Sequence, residues 1–297
     1  MFILTFAVIG LSVFIYISGM KTTLLFLSVF LSASLFGQNV YIPDDNFKAN
    51  LVGNSAINTN GDDEIQVSEA SAFDGAINCS SQGISDMTGI EAFSALTELY
   101  CVNNPLTSLD LSQNIALEIL WCLNQLTSLD VSQNTALTNL FCENNQLTSL
   151  DVSQNTALLW LSCSDNQLTS LDVSQNNALG GLSCGANQLI CLNIANGNNF
   201  FFSIADCYLA NNPNLTCIEV DDAEWSADNW STYVDSWASF SEDCNNDCTS
   251  SLTELTSSKN LIQILDMMGR ETSFKPNTPL IYVYDDGSIE KVFSVDY

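Results

Sequence analysis

The sequence LTNLFCENNQLTSLDVSQNTA, residues 137–157, decides the fold because the chain repeats it with small changes on both sides. Its pattern is L-x-x-L-x-C-x-x-N-x-L-x-x-L-D-V-S-x-N, and the period is 20–22 residues. The segment NQLTSLDVSQNTAL occurs identically at 124–137 and 145–158. Further units begin at four leucines: Leu96, Leu117, Leu158 and Leu179. A period of this length predicts a solenoid in which stacked turns share one core.

This pattern resembles the leucine-rich repeat, with cysteine at one core position. The turns over about residues 77–220 resemble in particular the 21-residue, cysteine-bearing repeats of internalin-type leucine-rich-repeat proteins. The resemblance implies a leucine-rich-repeat solenoid with a short parallel β-sheet on the concave face and a mostly irregular convex side. It also implies a role in adhesion or protein binding without catalysis. Helical caps are expected over 39–76 and 221–248, because the open ends of a solenoid would expose its core.

The cysteines form two populations. Six recur with the repeat and are expected to be small buried hydrophobes in one column: Cys79, Cys101, Cys122, Cys142, Cys163 and Cys184. A column does not supply the tetrahedral geometry that zinc needs, and no basic neighbour activates a thiol. The other five lie near the C-terminal cap: Cys191, Cys207, Cys217, Cys244 and Cys248. Some of these should form disulfides, with Cys217–Cys244 the first choice, Cys191–Cys207 the second, and a Cys191–Cys217 bridge left open.

The asparagine of C-x-x-N is expected to form an internal ladder, because its amide can satisfy backbone groups where the chain leaves each strand. Its members are Asn104, Asn124, Asn145, Asn166 and Asn187. The turn that begins at Leu117 is one residue shorter between Cys122 and Asn124 than its neighbours are. A local kink is therefore predicted there.

Charge excludes several classes of function. Residues 39–258 hold 28 of the 34 acidic residues and a single basic residue, Lys48. Such a body repels phosphate backbones, so nucleic-acid binding is excluded. The chain has no histidine, the commonest general base and metal ligand. Four carboxylates repeat along the convex side, where local turn hydrogen bonds explain them better than catalysis: Asp110, Asp130, Asp151 and Asp172.

Residues 1–38 are expected to form a signal peptide that the mature chain lacks. Apolar stretches cover 2–18 and 24–36, with Met20 and Lys21 between them. We expect translation to start at Met20, which makes 1–19 an upstream extension. The alternative is a two-helix membrane anchor, but each stretch is at or below the roughly 18–20 apolar residues that cross a bilayer.

The predicted N-terminal cap contains a loop that resembles an EF-hand, and calcium is the one cofactor it would imply. Its candidate ligands are Asn58, Asn60, Asp62, Glu64 and Glu69. Asn58 replaces the usual first aspartate, and Asp63 stands where glycine makes the sharp turn. The alternative is an Asx-rich capping turn without metal. Short helices are expected on either side, over 45–51 and 68–73.

The C-terminal region has three parts. An aromatic amphipathic helix is expected within 221–248, followed by a Ser/Thr-rich linker over 249–258. Residues 259–297 predict a small antiparallel β module with a hairpin turn at 285–287. The tail resembles the C-terminal sorting domain of the type IX secretion system of Bacteroidetes, through Asp266, Gly269, Arg270, Pro276, Asn277, Tyr282, Tyr284, Asp286, Gly287, Glu290 and Lys291. That resemblance implies export by the secretion machinery; a self-standing binding domain is the alternative.

The residues that flank the buried leucine of each strand should face outward on the concave sheet. Tyr100, Trp121 and Phe141 then form an aromatic stripe across adjacent strands, with Trp160 diagonal to it. Exposed aromatic patches often mark contact surfaces, although cross-strand packing alone is the alternative. The candidate site is Glu98, Tyr100, Ile119, Trp121, Asn139, Phe141, Glu143, Trp160 and Asp165.

These features predict a secreted or outer-membrane-surface protein that is not an enzyme and has no stable membrane span in its mature chain. Its partner is expected to be a protein with a basic or cation-bearing surface, because Glu98, Glu143 and Asp165 lie beside the aromatic stripe. Carbohydrate binding is the alternative, since rows of aromatic rings also stack on sugars.

Overall fold

The computed structural model describes part of the chain, in two compact units that span Met1–Asn246 and Asp247–Tyr297. In the first unit the described residues are 6–8, 11–13, 38–201 and 207–245, and in the second they are 248, 261–266, 270, 272, 279–284 and 289–293. Strands β1 (Phe6–Val8) and β2 (Leu11–Val13) pair antiparallel near the N-terminus. The second apolar stretch of the predicted signal peptide and the predicted 249–258 linker lie outside the described residues. No helix in the described ranges is long and apolar enough to cross a membrane.

A six-stranded parallel sheet runs along the repeats, in the order β3-β4-β5-β6-β7-β9. Each strand is three residues long, and its central leucine or isoleucine is buried, as L-x-C predicts. The strands are β3 (Ala76–Asn78), β4 (Glu98–Tyr100), β5 (Ile119–Trp121), β6 (Asn139–Phe141), β7 (Trp160–Ser162) and β9 (Gly181–Ser183). The cysteine that follows each strand is also buried, so a leucine row and a cysteine row share one continuous core.

The convex side is more regular than we predicted. A second parallel sheet follows the order β12-β11-β10-β8, so the expectation of a mostly irregular convex side is wrong over the last turns. Its strands are β8 (Ser170–Asp172), β10 (Cys191–Asn193), β11 (Cys217–Glu219) and β12 (Ser239–Ser241). The backbone explains the difference, since Val173 N–H donates to the Asn193 carbonyl at 2.9 Å and aligns the two turns. Earlier convex segments have no such strand assignment.

The predicted asparagine ladder is present at four of its five positions. Asn145 is typical: its Nδ2 donates to the carbonyls of Cys122 at 2.7 Å and Cys142 at 3.0 Å, and its Oδ1 accepts from Leu126 N–H at 2.9 Å. Each such side chain therefore joins two successive turns through groups that would otherwise be buried without partners. The same arrangement holds for Asn104, Asn166 and Asn187.

Asn124 departs from this ladder because its turn is short. In neighbouring turns the residue before the ladder asparagine has a positive φ, as at Asn103 (56°) and Asn144 (55°), and the Leu117 turn lacks that residue. Asn124 is half-buried, and its Nδ2 reaches only the Cys101 sulfur, at 3.8 Å. The short turn therefore lacks one left-handed residue and has a displaced amide, while the kink itself stays a prediction.

A second asparagine ladder, which the sequence analysis did not assign, lies at the other corner of each turn. Asn134 is fully buried, and its Nδ2 donates to the carbonyls of Leu111 at 3.0 Å and Asn114 at 2.9 Å. The equivalent side chains are Asn114, Asn155, Asn176 and Asn196. The recurrent V-S-x-N was the available signal, because a polar residue at an invariant core spacing needs a buried partner.

Two helices and a loop precede the first repeat. Helix α1 (Asp45–Val52) buries Phe47 and Leu51 in the core that it shares with the repeats. Its N-cap, Asp44, accepts from the N–H groups of Asn46 and Phe47 through one oxygen, each at 3.0 Å. The other oxygen accepts from Ser85 N–H at 2.9 Å, which ties the helix to the first turn. Helix α2 (Val67–Ala72) is short and begins with a capping box between Gln66 and Glu69.

At the other end, the aromatic segment is only partly helical. Helix α3 covers Ala223–Trp230, within the region where a helix was predicted, but it holds only part of the aromatic segment, because Phe240 lies on strand β12. The buried Trp230 ring lies edge-on to Trp225 at 5.5 Å and to Phe240 at 6.2 Å. The Asp235 carboxylate accepts from the N–H of Asn212 at 2.8 Å and so joins this region to the last turn.

The second unit contains three antiparallel strands, in the order β13-β14-β15. They are β13 (Leu261–Asp266), β14 (Pro279–Tyr284) and β15 (Ile289–Phe293). Their registers pair Leu265 with Ile281, and Tyr282 with Glu290. The antiparallel β module predicted for the tail is therefore present, while its predicted hairpin turn at 285–287 lies outside the described residues.

The two kinds of ladder position can be compared by mutation. Asn145→Ala would leave the Cys122 carbonyl and the Leu126 N–H without their side-chain partner, so we expect it to lower the free energy of unfolding by about 2–4 kcal/mol. Asn124→Ala removes only a weak sulfur contact and one accepted bond, and should cost less than half as much. Urea unfolding followed by circular dichroism checks both values, and equal costs would contradict the assignment of the ladder.

Candidate functional site

Strand register places the predicted aromatic stripe on one surface. Tyr100 pairs with Trp121, and Trp121 pairs with Phe141, in consecutive parallel strands. Since the leucine beside each of them points into the core, the three rings point away from it on the concave sheet. Trp121 is 39% exposed, whereas Tyr100 and Phe141 are half-buried.

The rings of the stripe contact one another in sequence. The Trp121 and Phe141 centroids are 5.2 Å apart at 39°, and those of Tyr100 and Trp121 are 6.2 Å apart at 54°. The Tyr100 hydroxyl donates to Glu98 Oε2 at 2.8 Å. This hydrogen bond to the carboxylate, together with burial and the nearby charge, raises the pKa of Tyr100 above 10.0. The three rings of the stripe thus pack on one another, and the hydrogen bond to Glu98 fixes the Tyr100 hydroxyl at one end.

The neighbouring column of the sheet contains Glu98, Ile119, Asn139 and Trp160, all half-buried. Trp160 extends along the sheet over the next strand, where Gly181 leaves room for it. A Cβ at Gly181 would lie 2.7 Å from Trp160 Cε3, so only glycine allows this ring position. The Trp160 ring therefore packs directly against the backbone of the next strand.

The two other predicted acids occupy different places. Glu143 directly follows Cys142 and is half-buried beside the stripe. Asp165 is exposed and has the left-handed conformation of the strand-to-corner turn, with φ of 55°. It therefore borders the concave sheet rather than lying on it.

Tyr208 also belongs to this surface, and sequence reasoning missed it. Its bridge to Ser183 continues the column that begins with the stripe. Its ring lies over Gly185, where a Cβ would meet Tyr208 Cε1. The pattern Leu209-Ala-Asn-Asn212 repeats C-x-x-N with leucine in place of cysteine, and would have placed Tyr208 one residue before a core position.

The cysteine column is chemically inert. All six thiols are buried. Burial raises the pKa of Cys79 to about 12 and raises that of Cys142 well above 9.0, and the neighbouring Cys163 and Glu143 add to the shift at Cys142. These thiols remain protonated at neutral pH, so they neither bind metal readily nor act as nucleophiles.

The C-terminal cysteines are partly as predicted. The Cys217–Cys244 disulfide is confirmed, with a Cα–Cα distance of 5.8 Å. Cys191 and Cys248 are disulfide-bonded as well, while Cys207 remains a thiol. The second-choice pair Cys191–Cys207 is therefore wrong, and so is the Cys191–Cys217 bridge, because Cys217 pairs with Cys244.

The EF-hand-like loop adopts a different geometry from a calcium loop. Its left-handed residue is Gly61 (φ 74°), at the fourth position, rather than the sixth-position residue Asp63. Glu69 Oε1 accepts from Thr59 N–H at 2.8 Å, and its Oε2 accepts from Gln66 N–H at 3.0 Å.

The remaining predicted ligands are also engaged within the loop. Asn58 Oδ1 accepts from Gly61 N–H, Asn60 Oδ1 accepts from Asp62 N–H, and Asp62 Oδ1 accepts from Glu64 N–H. Glu64 itself binds Lys48 at 2.6 Å. No group of three or more metal-binding side chains was found in the part of the chain that the structure describes. This donor set fits the Asx-rich capping turn, and calcium binding stays a prediction that calorimetry on the wild type and Glu69→Ala tests.

The stacked parallel strands, the leucine and cysteine rows and the buried asparagines define a leucine-rich-repeat solenoid. Over 76 residues the chain is 43% identical to Internalin J of Listeria monocytogenes serotype 4b (strain F2365). That match covers 26% of this chain and 8% of the relative, so it spans only a small part of that protein. No protein-family model matches the chain.

Solved structures of leucine-rich-repeat proteins resemble the chain at low identity. The functional domain of InlJ from Listeria monocytogenes, which includes a cysteine ladder, is 23% identical with a TM-score of 0.26, and the match covers 62% of this chain and 66% of that one. Internalin C2 from strain 4b F2365 of the same species is 17% identical with a TM-score of 0.41, covering 67% and 94%.

The loop carboxylate Glu69 should make the stability of the solenoid depend on pH. Burial disfavours its charge, but hydrogen bonds from Gln66, Thr59 and Asn60 outweigh this and lower the pKa of Glu69 below 4.5. Its stabilisation is therefore present above the unfolded pKa and lost as the pH falls through the lower folded value. In thermal melts from pH 7 to pH 3, Glu69→Gln should melt below the wild type at pH 7, and the difference should shrink below about pH 4.5. A difference that stays constant with pH would contradict this role.

Proposed function

We propose that this chain is an extracellular protein-binding module that uses the aromatic stripe as its contact surface. The observation that carries the proposal is the continuous contact of the Tyr100, Trp121 and Phe141 rings on the outward face of the concave sheet. Large rings of this kind bury much apolar area with little loss of side-chain freedom, which is why they dominate protein interfaces.

Three further properties support a binding role. The sheet is built from three-residue strands, and buried asparagines such as Asn145 and Asn134 tie the turns that carry the stripe to their neighbours, so the stripe is held rigid before a partner arrives. The Cys217–Cys244 disulfide fits an oxidising compartment outside the cytoplasm. Over 76 residues the chain is similar to part of Internalin J. Carbohydrate binding, the alternative from the sequence, has no specific observation in its favour.

The contact surface is tested by capture of cell-surface proteins with the full chain, followed by affinity measurement with each purified partner. Trp121→Ala and Phe141→Ala should weaken binding by about 2 kcal/mol or more, because they remove the centre of the stripe. Trp237→Ala is the matched control: this tryptophan is 53% exposed and lies outside the concave sheet. Partners bound equally well by all three variants would refute the proposed surface. A glycan array separates the carbohydrate alternative.

We further propose that the second unit directs export, as its resemblance to the type IX sorting domain implies. Its three antiparallel strands are consistent with the small β module expected of such a tail. The signal peptide proposed for residues 1–38 would deliver the chain to the periplasm, where this tail would act.

Removal of residues 259–297 tests the export proposal. In a host with this secretion system, the truncated chain should accumulate in the periplasm, while the full chain reaches the surface or the medium. Cell fractionation with antibody detection measures this. Undiminished export of the truncated chain would show that residues 259–297 are not the export signal.

A further inference from the structure

The repeats carry negative charges that they do not neutralise. Between residues 39 and 258 the only basic residue is Lys48, and it pairs with Glu64 in the N-terminal loop. On the repeats, the convex acids are satisfied locally: Asp151 Oδ1, for instance, accepts from Ser153 N–H at 2.9 Å. The convex acids therefore need no external partner.

Glu143 differs from these acids. Its Oε2 atom is buried and has no hydrogen-bond partner among the described residues. It is half-buried on the concave side, one residue after Cys142 and two after Phe141. This one oxygen has lost water without gaining a donor, which is costly, whereas Oε1 is not among the buried unpaired atoms. A cation from outside that pairs with the carboxylate through Oε1 would offset part of that cost. We therefore expect Glu143 to pair with a positively charged group of the partner.

The surroundings of Glu143 suit a long, flat cationic side chain. By strand register, the residue beside Glu143 in the preceding turn is Leu123, which follows Trp121 by two positions. Phe141 and Trp121, whose ring centroids are 5.2 Å apart, precede Glu143 and Leu123 by two positions each, which places them on the same face of the same two turns. A planar guanidinium can stack on aromatic faces and donate to a carboxylate at once, whereas an ammonium is a compact and strongly hydrated charge.

The short Leu117 turn leaves room for a partner's side chain beside Glu143. An open depression of about 580 Å³ lies at the corner where the Leu117 turn lacks its left-handed residue. Leu123, Asn124 and Asn144 are part of its lining, and two of these directly flank Glu143, one by register and one in sequence. The depression, the unpaired acid and the centre of the aromatic stripe therefore adjoin one another over two turns.

We propose that Glu143, Trp121, Phe141 and the adjoining depression form a subsite for an arginine side chain of the protein partner. This inference rests on the proposed function and adds the chemistry of the partner. The guanidinium pairs with the Glu143 carboxylate and stacks on the aromatic rings of the stripe. The rest of the partner's chain continues over the depression at the short turn.

The subsite is tested with the full chain and the peptide acetyl-Gly-Gly-Arg-Gly-Gly-amide, by saturation-transfer NMR. Citrulline and lysine replace arginine in two control peptides. Glu143→Gln should weaken binding of the arginine peptide by about tenfold, as expected for loss of a charge-assisted contact. Asp151→Asn removes the same charge from the convex side, keeps its Oδ1 acceptor, and should change the affinity less than about twofold.

Each result decides the proposal. Equal weakening in Glu143→Gln and Asp151→Asn would mean that the peptide senses only the overall charge, and citrulline or lysine peptides that bind as well as arginine would refute an arginine subsite. A captured protein that is lost with Trp121→Ala but retained by Glu143→Gln would leave the contact surface standing and overturn the subsite. A captured protein retained by both variants would overturn the proposed function itself.

Discussion

The rest of the structure depends on how backbone groups are satisfied where the chain turns inside the core. Each repeat has two sharp corners, and at each corner carbonyls point inward, away from water. Asn145 donates to one carbonyl of its own turn and one of the turn before, and Asn134 donates to two carbonyls of the turn before. The leucine rows supply the buried apolar area, but apolar contacts alone would allow one turn to slide against the next. The amides fix each turn against the next, because one misplaced turn would orphan several buried polar groups.

That fixed spacing makes the concave side useful. Parallel three-residue strands bring residues about 21 positions apart in sequence into direct contact, so Tyr100, Trp121 and Phe141 form one surface although no local segment contains two of them. Further along the same sheet, Trp160 and Tyr208 lie over Gly181 and Gly185. The surface thus has rings that pack on one another at one end and rings that pack against glycines at the other.

The period predicted the strands, the buried rows, the first asparagine ladder and the outward aromatic column, because each follows from residue spacing alone. Other features depend on neighbours that spacing does not reveal. The segment NQLTSLDVSQN is identical at 124–134, 145–155 and 166–176, yet only the last copy contains a strand, β8, since only there does the next turn offer an aligned partner. Glu69 likewise fits a calcium-loop pattern in sequence, but its oxygens are taken by backbone N–H groups.

The identical copies of NQLTSLDVSQNTAL also bear on how this array can change its length over generations. Because every turn touches only the turns before and after it, a whole unit inserted or lost between two matching copies would leave each junction with the same contacts. One unit inserted between Phe141 and Trp160 would move the packed rings of the stripe about 4.8 Å further from Trp160, by one strand spacing. The length of the binding surface can therefore change while the fold of each repeat stays the same.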